Sequence, residues 1–260
     1  MFLDIYQKIR DEKDSILCIG LDPPPEEFSE KEPEDILNFC LKIVEDTSEY
    51  ACAYKPNTQF LLFPLNLKHL RELNSKIHKE KSVSILDHKL SDIGSSNKSA
   101  IFWINKAKFD AFTFSPFSGN VRETVEIAHK YNLGVFVLTL MSNFESRWIQ
   151  KDANLNGRPL FKEIAIRAEN AQADGLVMGA TDNVDEDDIR DVRKIVDNEV
   201  ILLFPGIGAQ GGNIPKIMKN SGNNILINVS RAIILDNDPK NKAREFYEII
   251  GRYKRRYSTI

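Results

Sequence analysis

Short runs of apolar, β-favouring residues recur along the whole chain, separated by amphipathic segments. The runs are 15–21 (SILCIGL), 51–54 (ACAY), 82–86 (SVSIL), 111–114 (AFTF), 134–140 (GVFVLTL), 175–178 (GLVM), 200–204 (VILLF) and 224–229 (NILINV). Several are apolar at every position rather than at alternate ones, which is how strands buried on both faces of a parallel sheet read. Between them apolar residues return with helical period. One stripe is Ile36, Phe39, Cys40, Ile43 and Val44; the next are Leu67, Leu70, Leu73 and Ile77, then Ala100, Ile101, Ile104 and Ala107. Val121, Val125 and Ala128 continue the pattern, followed by Ile189, Val192, Ile195 and Val196 and by Phe246, Ile249, Ile250 and Tyr253. Such stripes predict helices that each bury one face against a sheet. Eight strand runs alternating with helical segments predict an α/β fold closed into a (β/α)8 barrel (a TIM barrel) rather than an open sheet.

No linker, low-complexity stretch or shift in composition divides the chain, so residues 1–260 are expected to form a single barrel domain. The segment through Arg10 predicts an extra helix closing the barrel floor. The acid run Asp185-Glu186-Asp187-Asp188 predicts a helix start, where carboxylates oppose the positive dipole end. The basic tail Arg252, Lys254, Arg255 and Arg256 suits a helix C-terminus by the same electrostatics.

Composition narrows the classes without adding chemistry. With 42% hydrophobic and 28% charged residues the chain reads as soluble and globular, not collagen-like, disordered or coiled-coil. Thirty-five Lys and Arg against 38 Asp and Glu leave a net charge of −3, which argues against a general nucleic-acid or membrane binder. No apolar run approaches the roughly 18–20 residues that span a bilayer, and charge interrupts the first eight residues, unlike a signal peptide. Cys18, Cys40 and Cys52 form no CxxC pair and read as reduced, buried thiols. His69, His78, His88 and His129 lack zinc-site spacing. A cytoplasmic protein without a metal is the expectation.

In a closed barrel the chemistry gathers where the strands end. Those positions hold Asp22, Lys55-Pro56-Asn57, Asp87-His88-Lys89, Ser115-Pro116, Ser142-Asn143, Gly179 with Thr181, Pro205-Gly206-Ile207-Gly208, and Ser230-Arg231. Two constellations stand out. In Asp87-His88-Lys89-Leu90-Ser91-Asp92 a continuing strand turns Asp87 and Lys89 to one face and His88 to the other. Lys55 on the neighbouring strand then lies beside them, and charges of alternating sign share a small volume. A network that only fixes barrel geometry is the competing reading; Val or Ile would fill such a core at less cost. Asp92 reads equally well as the cap of the following helix, a role Ser95 or Ser96 could also take.

The second constellation is Pro205-Gly206-Ile207-Gly208-Ala209-Gln210-Gly211-Gly212 with Ser230-Arg231 one strand later. Glycines let backbone N–H groups approach an anion, and the loops after strands seven and eight are the usual phosphate site of this fold. Arg231 adds a charged grip. A tight turn beside a surface arginine is the alternative.

The run Asp87-x-Lys89-x-x-Asp92-Ile93 resembles the D-x-K-x-x-D-I signature of the orotidine 5′-phosphate decarboxylase family. LCIGLDP at 17–23, YKPN at 54–57, Ser142-Asn143, PGIGAQGG at 205–212 and NVSRA at 228–232 appear in the order that family shows, and the last two resemble its longer bacterial and protozoan branch. The resemblance covers essentially the whole chain. It implies cofactor-free, metal-free conversion of orotidine 5′-monophosphate to UMP, the last step of de novo pyrimidine nucleotide synthesis. It implies that Lys89 stabilises and protonates the carbanion at C6, that Asp87 sits beside the leaving carboxylate, and that Lys55 completes the charged chain. By the same resemblance Asp92 reaches into the site of the partner in a homodimer with shared active sites, where Ser96 contacts the ribose. Asp22 is then the ribose-binding acid, Asn57 lines the pocket, Ser142 reads the pyrimidine, and Gln210, Gly211 and Arg231 hold the phosphate.

The chain departs from the family pattern at His88, at Ser91, at Ser96 (where threonine is commoner) and in the loop 140–146 (LMSNFES). Magnesium-dependent sugar-phosphate enzymes of the same suprafamily share D-x-K-x-x-D but carry a metal-binding acid at the end of strand two, where this chain has Lys55-Pro56-Asn57. A non-catalytic nucleotide-phosphate binding barrel would be expected to have lost a member of the tetrad Lys55, Asp87, Lys89 and Asp92.

Overall fold

The computed structural model describes residues 1–28, 30–208 and 212–257. Eight parallel strands close into a barrel: β1 (Leu17–Leu21), β2 (Ala53–Pro56), β3 (Val83–Leu90), β4 (Ala111–Phe114), β5 (Gly134–Leu140), β6 (Gly175–Met178), β7 (Ile201–Ile207) and β8 (Ile225–Val229). Each strand pairs with its sequence neighbours, and β8 closes the ring on β1 with Leu17 opposite Ile227. All eight strand runs of the sequence are strands. The (β/α)8 expectation is met.

Alternation along the strands divides two cores. Leu17, Ile19, Tyr54, Val135, Val137, Leu202 and Ile227 point outward and pack under the helices. Cys18, Ala53, Ile85, Ala111, Phe136, Leu203 and Leu226 point inward. The floor is plugged by the helix Phe2–Lys13, whose Phe2 and Tyr6 enter the inner cluster. The Tyr6 hydroxyl donates to the Ile225 carbonyl at 2.9 Å, so the buried phenol is not left unpaired. Two residues further along the strands, the inward positions are Gly20, Lys55, Asp87, Thr113, Leu138, Pro205 and Asn228. On β2, β3, β4 and β8 the interior thus changes from apolar to polar in one step toward the open end.

The helical stripes fall on Pro33–Thr47, Leu67–Lys79, Gly94–Lys106, Val121–His129, Glu186–Ile195 and Pro239–Tyr257, with Ala107 and Val196 as the C-cap residues just past their helices. Asp185 caps the acid-rich helix by accepting the Asp188 N–H at 2.9 Å. The basic tail ends the last helix. The helices Leu160–Asn170 and Ile214–Asn220 carry no stripe identified in the sequence, and neither do the single turns Pro25–Phe28, Thr58–Leu61 and Arg231–Ile234. Before the first of these the chain leaves the barrel through Phe144–Ser146, a wide turn Trp148–Asp152, and a small hairpin pairing Asn154–Leu155 with Arg158–Pro159.

Candidate active site

Asp87 is the hub of the polar layer. Its Oδ2 lies 2.5 Å from Lys55 Nζ and its Oδ1 lies 2.6 Å from Lys89 Nζ. Thr113 Oγ1 donates to Oδ1 at 3.1 Å and accepts the Lys89 backbone N–H at 2.9 Å. Lys55 and Asp87 are buried, whereas the Lys89 side chain is 37% exposed and reaches the open end. Burial pushes the Asp87 carboxyl upward, but the Lys55 and Lys89 ammonium groups outweigh it and hold the carboxyl well below its usual range. Burial likewise opposes the Lys55 charge, and Asp87 with Asp22 overcomes it, so Lys55 is held protonated.

The local backbone accounts for this juxtaposition. Pairing of β3 with β4 runs through Ile85–Ala111 and Leu86–Phe112 and resumes only at Leu90–Phe114, so residues 87–89 bulge between the paired positions. Lys89 has φ of 53°, a left-handed conformation that costs a side-chain-bearing residue energy and persists only where its surroundings fix it. Asp87 and Lys89 share the inner face as the sequence predicts. The agent is a bulge pinned by Thr113, which uniform alternation did not anticipate.

Asp22 follows β1. Its Oδ2 accepts from Ser230 Oγ at 2.5 Å, and Ser230 also bonds the Gly20 carbonyl at 3.1 Å. A Cβ on Gly20 would lie 2.8 Å from that of Ser230, so glycine is what admits this approach. A cavity of about 170 Å³ is lined by Asp22, Lys55, Asn57, Asp87, Asn228, Ser230, Arg231 and residues 205–207. Asp22 Oδ1 and Asn228 Oδ1 are buried and have no hydrogen-bond partner among the described residues. Both are acceptors suited to a ligand hydroxyl or amide. Asn228 was not singled out in the sequence; its inward register on β8, next to Ser230-Arg231, was the available signal. Asn57 lines the cavity while its side chain accepts the Gln59 N–H at 3.1 Å.

Across the cavity, Gly206 and Gly208 take φ of 105° and 88°. The Gly212 N–H donates to the Gly206 carbonyl at 3.1 Å. Gln210 and Gly211 lie outside the described residues.

Ser142 stands at the rim after β5 and is not among the residues lining that cavity. Its carbonyl accepts from Thr181 Oγ1 at 2.5 Å, and a Cβ on Gly179 would lie 2.5 Å from its Cα. Asp92 and Ser96 are exposed and are not among the residues lining that cavity. The cap reading of Asp92 fails: Ile93 is the N-cap, no side chain caps the helix, and the Asp92 carboxylate accepts only the adjacent Ile93 N–H at 2.8 Å. Ser118 and Asn120 instead bond the Asp92 carbonyl at 3.2 and 3.1 Å. The segments after β2, β3 and β4 expose Leu62, Phe63, Ile93 and Phe117 on the same rim. Among the described residues no group of three or more His, Cys, Asp or Glu side chains is placed to hold a metal.

The family model described as orotidine 5′-phosphate decarboxylase / HUMPS matches residues 15–246. The orotidine 5′-phosphate decarboxylase of Cupriavidus metallidurans is 35% identical over 263 residues, covering 93% of this chain and 94% of that protein. Among solved structures, the orotidine-monophosphate-decarboxylase of Toxoplasma gondii superposes with a TM-score of 0.89 at 27% identity, covering 98% of this chain and 96% of that one. The OMP decarboxylase of Leishmania donovani gives 0.84 at 29% identity, with 97% and 98% covered.

Proposed function

The chain belongs to the orotidine 5′-phosphate decarboxylase / HUMPS family, and from that premise we propose how its residues carry the reaction. The reaction is decarboxylation of orotidine 5′-monophosphate to UMP, in pyrimidine nucleotide synthesis. The C6–carboxylate bond breaks and its electron pair stays on C6, where the ring offers no sink. The protein must therefore place positive charge where the negative charge develops. Lys89 does this: its ammonium faces C6, stabilises the pair as carbon dioxide leaves, and then gives C6 a proton. Solvent reprotonates the amine. No oxidant, reductant or cofactor is needed for this balance.

The observation that carries this reading is the alternating chain Lys55–Asp87–Lys89, with contacts of 2.5 and 2.6 Å, whose members Lys55 and Asp87 line a cavity that also holds Arg231. Asp87 fixes the Lys89 ammonium and stands beside the departing carboxylate, and Lys55 neutralises Asp87 from the buried side. Asp22 binds the ribose, Asn57 lines the pocket, Ser142 reads the pyrimidine, and Arg231 with Gln210 and Gly211 grips the phosphate. Phosphate binding is remote from the reacting carbon, so its energy can drive closure and desolvation there.

The exposed Asp92 and Ser96 are assigned to the site of a second copy, completing the tetrad across a homodimer. The apolar rim at Leu62, Phe63, Ile93 and Phe117 supports that association. The buried free thiols Cys18, Cys40 and Cys52 fit a reducing, cytoplasmic setting, and no helix among the described residues is long and apolar enough to cross a membrane. The test is the ultraviolet absorbance change of orotidine 5′-monophosphate with purified protein, with and without EDTA. Rapid conversion indifferent to EDTA is expected; conversion abolished by EDTA, or none at all, refutes the assignment.

A further inference from the structure

The bulge that carries the reactive lysine has an outer side that the mechanism above leaves unused. His88 lies between Asp87 and Lys89 and faces out of the barrel, where its Nδ1 is 3.2 Å from Thr58 Oγ1. Thr58 follows Lys55-Pro56-Asn57 on the adjoining strand end. The hydrogen bond therefore ties together the two chain segments that hold Lys55, Asp87 and Lys89, from behind.

The sheet itself does little of this work. β2 and β3 pair at Ala53–Val83 and Tyr54–Ser84, then only through an isolated bridge at Asn57–Asp87. On its other side, β3 is out of register with β4 over residues 87–89. On the inside, the bulge is pinned by Thr113 and by the ammonium groups on Asp87. On the outside, His88 sits against an apolar cavity of about 370 Å³ whose walls include Leu61, Leu65, Trp103 and Phe109. A polar ring there is stable only if hydrogen-bonded, and burial favours its neutral form, which can donate or accept at Nδ1.

We infer that His88 and Thr58 form a positioning pair that sets the bulge, and through it the placement of the Lys89 ammonium. This inference rests on Lys89 being the proton donor. A shift of about 1 Å in a reacting group costs on the order of 100-fold in rate, and one hydrogen bond is enough to bias such a shift. His88 touches no substrate in this account, so its loss acts on turnover and not on nucleotide affinity.

The test uses chemistry that separates Nδ1 from the rest of the ring. Asparagine places an amide atom where Nδ1 stands, whereas leucine fills space without hydrogen bonding. His88→Leu and Thr58→Val should each lower kcat by about tenfold or more, leave UMP affinity unchanged, and be non-additive in combination. His88→Asn and Thr58→Ser should recover most of kcat. If His88→Leu fails to fold, the Thr58→Val and Thr58→Ser pair carries the same comparison. Full kcat in His88→Leu or Thr58→Val overturns the inference. So does a loss of UMP affinity equal to the loss of kcat, or failure of both conservative variants to restore turnover. Lys89→Ala run alongside separates the two readings: turnover by that variant refutes the role of Lys89, while an inert Lys89→Ala beside a fully active His88→Leu refutes only the positioning pair.

Discussion

Replacing Asp87 by asparagine removes a negative charge while keeping the shape of the side chain, so it isolates what the carboxylate does for its two cationic neighbours. At 2.5 Å the attraction between Lys55 and Asp87 is about 7 kcal/mol gross at an effective dielectric of about 20. Desolvation of both groups offsets much of it, but removing one partner of such a buried pair still costs about 3–5 kcal/mol. The Lys89 side chain is 37% exposed, so its share is screened and adds little. The amide makes matters worse, since its NH2 turns a donor toward an ammonium. The expected fall in Tm is on the order of 10 °C.

The pH dependence follows from the direction of the Asp87 shift. Its folded carboxyl is held below the usual range, so its stabilisation is fully present above the unfolded value of about 3.9 and fades as pH falls toward the folded value. Asparagine does not titrate. The Tm gap between wild type and Asp87→Asn, read by circular dichroism, should stay constant from about pH 5 to 8 and narrow below about pH 4. A variant as stable as wild type at pH 7, or a gap unchanged at low pH, refutes the reasoning.

Arg231→Ala should weaken UMP binding by about 10- to 100-fold in calorimetry, the scale of a lost charged hydrogen bond; unchanged affinity would contradict its assignment to the phosphate. Lys89→Ala and Asp92→Ala subunits are each expected to be inactive alone. Mixed at random they should recover about a quarter of wild-type activity, because half the dimers are mixed and each of those holds one intact site; no recovery in proven heterodimers would mean that each site is built from one chain. His129 Nε2 lies 3.0 Å from Asp174, and that hydrogen bond raises the histidine above its ordinary pKa. Its small stabilisation is complete below about pH 6.5 and is lost as pH rises through the folded value. The decline of Tm above neutrality should therefore be shallower in His129→Gln than in wild type; identical profiles would count against the pair.

The strands were legible because each is an apolar run whose two faces are both buried, and so was the polar layer above them, since Lys55, Asp87 and Arg231 fall at strand ends. What escaped is instructive. The helix Leu160–Asn170 buries Phe161, Ala165 and Ala168; with alanines on its inner face, its stripe has little contrast against the outer one. The helix Ile214–Asn220 is too short for its period to register. The left-handed Lys89 could not be read, because a bulge depends on the register of the neighbouring strand and on Thr113, which looks like any threonine in a β run. Asp92 was ambiguous between cap and site because both roles place a carboxylate just before a helix. The position of the cap at Ile93 removes the first of these roles. Asn228 needed its facing on β8, which only pairing reveals.

The most direct test of the account compares wild type with Lys89→Ala in a single-turnover decarboxylation of orotidine 5′-monophosphate, with UMP affinity measured on both proteins. The variant should fold and bind UMP but form no product on the timescale of many wild-type turnovers. Substantial product from Lys89→Ala would contradict it, because the charge that stabilises the carbanion would then have to come from another residue.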